Sequence, residues 1–193
     1  MSPSQELFLI RHATTDMNGT LCGQRDPPLN AMGRAQASAL ADLLGSWRVR
    51  RLYASDLQRA VQTAQCLGER WGIPVQARSA LREISFGDWE GRSWSEIRAE
   101  EPDITKMESP SEICAPGGET FASFHDRVLR ALNETIAECD GRLTVIVTHL
   151  GVIRVILKEL SSADSLWEPW QRIDHCSVHR IHVDRTFLER PHI

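Results

Sequence analysis

Leu7-Phe8-Leu9-Ile10-Arg11-His12-Ala13-Thr14-Thr15-Asp16-Met17-Asn18 runs four apolar residues, enough only for a short buried strand, straight into an arginine and a histidine followed by small polar residues. A strand of this kind delivers charge to a loop. Open α/β sheets bind ligands just beyond the carboxyl ends of their strands, so Arg11 and His12 are expected to emerge where a parallel sheet places its chemistry. Read alone, the pair is also compatible with an ordinary surface turn.

A second stretch repeats the design. Leu143-Thr144-Val145-Ile146-Val147-Thr148-His149-Leu150-Gly151 is a β-branched run ending in a histidine, with a glycine opening an apolar helical segment. Between the two lies Leu52-Tyr53-Ala54-Ser55-Asp56-Leu57-Gln58-Arg59-Ala60, where Ser55 and Gln58 have the spacing of a capping box and Arg59 falls in the first turn of the helix that follows. A helix N-terminus already carries partial positive charge and unpaired N–H groups. An arginine there, with a second arginine and two histidines, needs an anion among them, and phosphate fits.

The rest of the chain supplies alternating strands and helices. Asn30 is expected to cap a helix whose apolar stripe is Leu40, Leu43, Leu44 and Trp47, and the helix opened by Ser55 runs to about Trp71 with Val61, Ala64 and Leu67 inward. Gly72 and Pro74 end it, and Val75 to Ala77 reads as a third strand. The longest amphipathic helix follows Pro116-Gly117-Gly118-Glu119-Thr120, burying Phe121, Phe124, Val128, Leu132 and Ile136. The strand 143–148, a helix from Val152 to Leu160 and a strand-like segment from Ser177 to Val183 complete the chain. Such alternation predicts an α/β fold, a three-layer α/β/α sandwich with a mostly parallel central sheet and right-handed crossovers. Ser95 to Gly118 is acidic, contains proline and is weakly periodic, so the wider segment 84–118 is expected to be an insertion over the active edge, placed to act as a lid. Trp89 and Trp94 are expected to pack beneath that loop.

Composition bounds the function. The chain has 193 residues, 41% of them hydrophobic, enough for one well-filled core, so a single domain spanning 1–193 is expected. A net charge of −4 argues against a nucleic-acid partner. No apolar run approaches the length that spans a bilayer, and Met1 to Glu6 lacks a signal pattern. The expectation is a soluble, cytoplasmic protein without a membrane partner. Cys22, Cys66, Cys114, Cys139 and Cys176 are odd in number and scattered, as reduced thiols are. His175, Cys176, His179 and His182 crowd together as zinc ligands do. Val178, Ile181 and Val183 interleave with them as in a strand, which would point His179 and His182 to opposite faces, so a structural role is expected. Trp167 and Trp170 would serve a homodimer interface as readily as a core.

Arg11-His12-Ala13, Ser55-Asp56-Leu57-Gln58-Arg59-Ala60 with Thr63-Ala64, Glu83 before Phe86-Gly87-Asp88-Trp89-Glu90-Gly91, and Val147-Thr148-His149-Leu150-Gly151-Val152-Ile153-Arg154 together resemble the histidine phosphatase superfamily, phosphoglycerate-mutase-like branch, over about Leu7 to Val183. One departure is visible: Ala13 stands where the family usually has glycine. The resemblance implies a phosphatase acting on a small-molecule phosphate ester, with His12 as nucleophile. Arg11, Arg59 and His149 would stabilise the transferring phosphoryl group, and Glu83 would be general acid and then base, with Asp88 or Glu90 as substitutes should the correspondence slip. It also implies phosphate contacts from Asn18. Gln24 and Arg25 are candidate substrate-binding residues, as are Arg92 and His125 for the non-phosphate part. No carboxylate cluster or metal-loop motif accompanies these residues, so catalysis without metal or cofactor is expected.

The chain lacks the extended insertion of the phosphoglycerate mutases. Its Phe86–Gly91 and Pro116–Thr120 segments look most like the small-molecule phosphatases of the branch, above all the α-ribazole phosphatases of cobalamin nucleotide-loop assembly. Sugar-phosphate and phosphoserine phosphatases, a mutase, and a non-catalytic phosphate-ligand-binding protein are the alternatives.

Overall fold

Strand β1 (Gln5–Arg11) and strand β4 (Thr144–Thr148) pair in parallel, with Arg11 opposite Thr148, so the residue that follows each strand is a histidine at the same level of the sheet. The His12 N–H donates to the Thr148 carbonyl at 2.9 Å, extending the ladder one step past the strand. The structure, a computed structural model, describes residues 5–101, 114–139, 141–160 and 172–183. Strand β2 (Arg51–Ser55) lies parallel on the other side of β4, strand β3 (Val75–Arg78) is parallel to β2, and strand β5 (Val178–Val183) runs antiparallel beside β1. The order is β3-β2-β4-β1-β5. The carboxyl ends of β1, β4 and β2 are therefore neighbours, as a doubly wound sheet requires of its binding edge.

Side-chain alternation along the strands builds two cores. Leu7, Leu9, Tyr53 and Ile146 face helices α4 (Phe121–Glu138) and α5 (Leu150–Leu160). Ile10, Leu52, Ala54, Val145 and Val147 face the other side with helices α1 (Ala31–Leu43) and α2 (Gln58–Trp71). Each fully buried Leu or Ile contributes about 1.5–3 kcal/mol relative to exposure, so both faces must be covered. The central sheet is mixed, mostly parallel, and lies between helix layers as the sequence predicts.

Several local expectations are met and several are corrected. Asn30 caps α1, accepting the Gly33 N–H, and Gly72 ends α2 in the left-handed conformation at φ 69°. Leu43, placed in the α1 stripe by spacing, is 76% exposed, because Leu40 and Leu44 already occupy the face that meets the sheet. Ser55 does not open α2. It is the last residue of β2, and α2 begins after Leu57 with no side-chain cap of its own; Asp26, reaching in from the preceding loop, accepts the Gln58 N–H instead. The segment after Gly91 is more regular than its composition suggests. Ser93 and Glu96 form a reciprocal capping box for a short helix α3 (Trp94–Glu100), and Ile97, Trp89, Leu21 and Ala115 make a small core under it, joined by Trp94. The remainder of the proposed lid, residues 102–113, and both Trp167 and Trp170 lie outside the described residues.

β5 keeps the alternation expected of it: Ile181 and Val183 are buried and His182 is exposed. Among the described residues no three His, Cys, Asp or Glu side chains gather as a metal site, and all five cysteines stand outside any disulfide. No helix among the described residues is long and apolar enough to cross a membrane.

Candidate active site

The loop after β1 is built to hold His12 still. The Ala13 N–H donates to the Thr63 hydroxyl on α2 at 3.0 Å, and the Thr14 N–H donates to Gln36 Oε1 on α1 at 3.0 Å. Gly33 lies so close to this loop that a Cβ there would stand 2.1 Å from the Thr14 carbonyl oxygen, so only glycine lets the first turn of α1 seat here. Cys176 is the one non-glycine with positive φ among the described residues. Ala13 therefore sits in ordinary backbone, and the family's usual glycine is not required for conformation.

His12 donates from Nδ1 to the Ala13 carbonyl at 2.7 Å; a carbonyl only accepts, so the proton is on Nδ1 and Nε2 keeps its lone pair. Arg59 Nε approaches that lone pair at 3.3 Å. The Arg59 guanidinium is 1% exposed and is fixed by donation to the carbonyls of Arg25 (2.6 Å) and Gly23 (2.8 Å). On another side of His12 the His149 ring lies with its centroid 5.0 Å away. His149 is fully buried, and among the described residues neither ring nitrogen has a partner; the buried Nε of Arg11 likewise has none there, while its NH1 donates to the Ile173 carbonyl at 2.7 Å. Buried polar atoms are normally satisfied, so unpaired nitrogens from β1 and β4 converging beside a guanidinium mark a place for an anion.

Burial is the main reason that both His12 and His149 are held well below the ordinary imidazole pKa, with the charge of Arg59 adding to it and Arg11 contributing less. The arginines alone would suggest electrostatics as the chief cause. The sheet edge instead keeps these rings neutral mainly by keeping water from them.

Glu83 follows the one-turn 3-10 helix Ser79–Leu81 and faces the same edge. Its Oε2 accepts the Gly151 N–H at 3.0 Å, at the start of α5 two residues beyond His149, and Oε1 accepts the Ile84 N–H at 3.1 Å. Arg127 on α4 holds the segment, donating to the carbonyls of Ala80 and Arg82 at 2.9 Å each and pairing with Glu119. Asp56 and Arg82 close a two-bond pair at 2.7 Å on the other side. The two carboxylates considered as substitutes are placed differently. Asp88 is exposed, and Glu90 is occupied with the N–H groups of Gln24 (2.8 Å) and Phe86 (3.2 Å), tying two loops together.

The peripheral candidates are less uniform. Gln24 reaches the Glu83 carbonyl through Nε2 at 3.4 Å and so borders the acid. Arg25 is exposed at the rim with its guanidinium against Gly91, and its carbonyl serves Arg59. Asn18 is exposed on the turn at 17–20 and makes no hydrogen bond to the cluster. Arg92 pairs with Glu100 of α3, and His125 lies between Asp126 and Glu159.

One residue at the site was not singled out as a site residue from sequence. The His175 ring centroid lies 5.4 Å from that of His12. Its chain position, 163 residues away, gives no hint of this. The only available signal is topological: an antiparallel strand beside β1 must begin where β1 ends, which puts the residues before β5 at the binding edge.

A family model described as histidine phosphatase superfamily (branch 1) matches residues 7–189. The chain is similar to a glucosyl-3-phosphoglycerate phosphatase of Mycolicibacterium vanbaalenii, 34% identical over 166 residues that cover 81% of this chain and 74% of that one. It is also similar to the adenosylcobalamin/α-ribazole phosphatase of Salmonella typhimurium, 32% identical over 187 residues covering 88% and 90%. Among solved structures, the α-ribazole phosphatase of Shigella flexneri superposes with a TM-score of 0.81 at 29% identity, covering 95% of this chain and 93% of that one.

Proposed function

Because the chain belongs to branch 1 of the histidine phosphatase superfamily, we propose that it hydrolyses a small-molecule phosphate monoester through a phosphohistidine formed on His12. The observation that carries this reading is the state of His12: a neutral ring whose proton is committed to the Ala13 carbonyl and whose Nε2 lone pair faces Arg59 in a buried cluster of unpaired nitrogens.

In the first step Nε2 attacks phosphorus in line and the bond to the ester oxygen breaks. Glu83 gives its proton to the departing oxygen as general acid. Arg11, Arg59 and His149 donate to the equatorial oxygens, where negative charge spreads; Arg59 does so through Nε, its fork being held by the Gly23 and Arg25 carbonyls, and both guanidiniums stay charged. In the second step the Glu83 carboxylate takes a proton from water as its oxygen attacks phosphorus. The P–N bond breaks, inorganic phosphate leaves, and His12 returns to its neutral form. The guanidinium groups supply the positive charge and the neutral His149 ring a hydrogen-bond donor, and we assign the reaction no metal.

For the alcohol, the similar phosphatases act on different esters, and the rim is where they would differ. α-Ribazole 5′-phosphate is the substrate we propose first, with glucosyl-3-phosphoglycerate, sugar phosphates and phosphoserine compared beside it. Release of inorganic phosphate, counted against any isomerised ester, separates hydrolysis from mutase chemistry.

The test is a trapped intermediate. After brief reaction with p-nitrophenyl phosphate, an acid-labile, base-stable phosphoryl group should map to the peptide carrying His12. His12→Ala should stay folded and lose both the label and turnover. Turnover by His12→Ala, or turnover with the label elsewhere, would remove His12 from the reaction.

A further inference from the structure

We propose that His175 is a positioning residue for His12: its ring packs the mouth side of the nucleophile, fixing the direction of Nε2 and keeping bulk water from it. The inference rests on the reading of His12 as nucleophile and adds a residue to it.

Three observations carry it. First, the two rings are in contact, centroids 5.4 Å apart and inclined at 58°, so His12 is flanked by imidazoles on two sides. His149 on one side is fully buried, whereas His175 is half-buried. His175 is thus, of the two rings flanking His12, the one that meets solvent, and His12 itself is only 8% exposed. Second, the turn that carries His175 is strained. The Ser177 N–H donates to the Asp174 carbonyl at 3.0 Å, and Cys176, third in that turn, adopts φ 59°, a conformation in which glycine or asparagine is ordinarily found. A non-glycine residue persists there only where its surroundings over-determine it. Third, those surroundings are the end of β1. The Cys176 N–H donates to the Arg11 carbonyl (3.0 Å), the Arg11 N–H donates to the Ser177 carbonyl (3.2 Å), and Arg11 NH1 donates to the Ile173 carbonyl (2.7 Å). Three bonds thus lock the turn to the residue that immediately precedes the nucleophile.

The ring is suited to the task by being neutral. Burial and the nearby Arg11 charge bring His175 down to about 4, against the opposing pull of Asp174. The charged and titratable groups facing His12 are Arg11 from β1, Arg59 from α2, His149 ahead of α5, and His175. Removing His175 lets water reach His12, and the His12 titration moves upward.

The experiment compares wild type, His175→Ala and His175→Phe, the last keeping a ring but no titratable nitrogen. The His12 ring is followed by long-range 1H–15N NMR across pH, which needs no turnover. Steady-state kinetics with p-nitrophenyl phosphate and binding of inorganic phosphate are measured in parallel. In His175→Ala the His12 titration should move to higher pH and kcat should fall about tenfold to a hundredfold, the scale of a misplaced reacting group. KM should change little, and His175→Phe should restore the titration and most of kcat. An unmoved His12 titration in folded His175→Ala would overturn the proposal, as would a His175→Phe variant that behaves like it. Should His175→Ala fail to fold, His175→Asn takes its place in the same comparison. Loss of the phosphohistidine label from wild type would instead overturn the nucleophile reading and leave the NMR result standing by itself.

Discussion

Glu83 Oε2 accepts the Gly151 N–H at 3.0 Å, and a Cβ placed on Gly151 would come within 2.2 Å of Glu83 Oε1. The proposed acid is thus seated on the bare backbone of the helix that follows His149. Gly151→Ala should displace the carboxylate, because the end of a flexible side chain yields more easily than the helix. Gly151 has no positive φ, and alanine favours a helix by about 1 kcal/mol over glycine, so the fold should tolerate the change. Turnover of an alkyl phosphate should fall by about a hundredfold, within the range general-acid catalysis supplies, while p-nitrophenyl phosphate, whose leaving group needs little protonation, should lose much less. Equal losses for both esters would show that Gly151 does not act through the acid.

Arg59 is held at both ends of its fork by carbonyls, with Nε left for the site. Arg59→Lys keeps one charge but cannot span the Gly23 and Arg25 carbonyls and face His12 together. We expect kcat to fall on the order of a hundredfold, the effect of losing one preorganised donor. Lysine should rescue little of what Arg59→Ala loses, and full activity in Arg59→Lys would reduce the residue's role to charge alone.

The parts of this site that were legible in sequence are those on parallel strand ends. An apolar run that stops at a histidine states both the strand and the place where its product emerges, and two such runs in one α/β chain meet at the same edge. His12 and His149 could be paired for that reason. Glu83 required family resemblance, because nothing local distinguishes it from a surface carboxylate; its seat on Gly151 is a contact across 68 residues. The spacing of Ser55 to Gln58 suits a capping box, yet the strand claims Ser55 as its last residue and Asp26 serves Gln58 from outside. Leu43 had the right periodicity and no partner. His175 is invisible without the topology, since it reaches the site through an antiparallel edge strand.

If guanidinium and imidazole groups supply all of the charge stabilisation, chelation should not matter. Enzyme dialysed against EDTA and assayed in its excess is expected to keep full activity toward p-nitrophenyl phosphate. Activity lost there and restored by Mg²⁺ would require a cation that the reaction as written does not contain.

The buried imidazoles also set how stability depends on pH. His12 and His149 are held well below the ordinary imidazole value, His175 is brought to about 4, and His179 is lowered as well, burial leading in each case. An unfolded chain protonates its histidines near pH 6.5, so between that value and the folded values it binds more protons than the native state. Stability is then complete above about pH 6.5 and is lost as pH falls, by about 1.4 kcal/mol per pH unit for each ring that stays neutral in the fold. Asp56, held below its ordinary range by its hydrogen bonds with Arg82, acts in the same direction, but only as pH falls below about 4, so it does not enter this window. Urea midpoints should therefore drop steadily from pH 6.5 to 5. Saturating inorganic phosphate should flatten that slope, because a bound anion favours the imidazolium forms that burial disfavours. A flat profile over this range would mean that His12 and His149 are solvated and charged in the folded protein, and a charged His12 cannot be the attacking group.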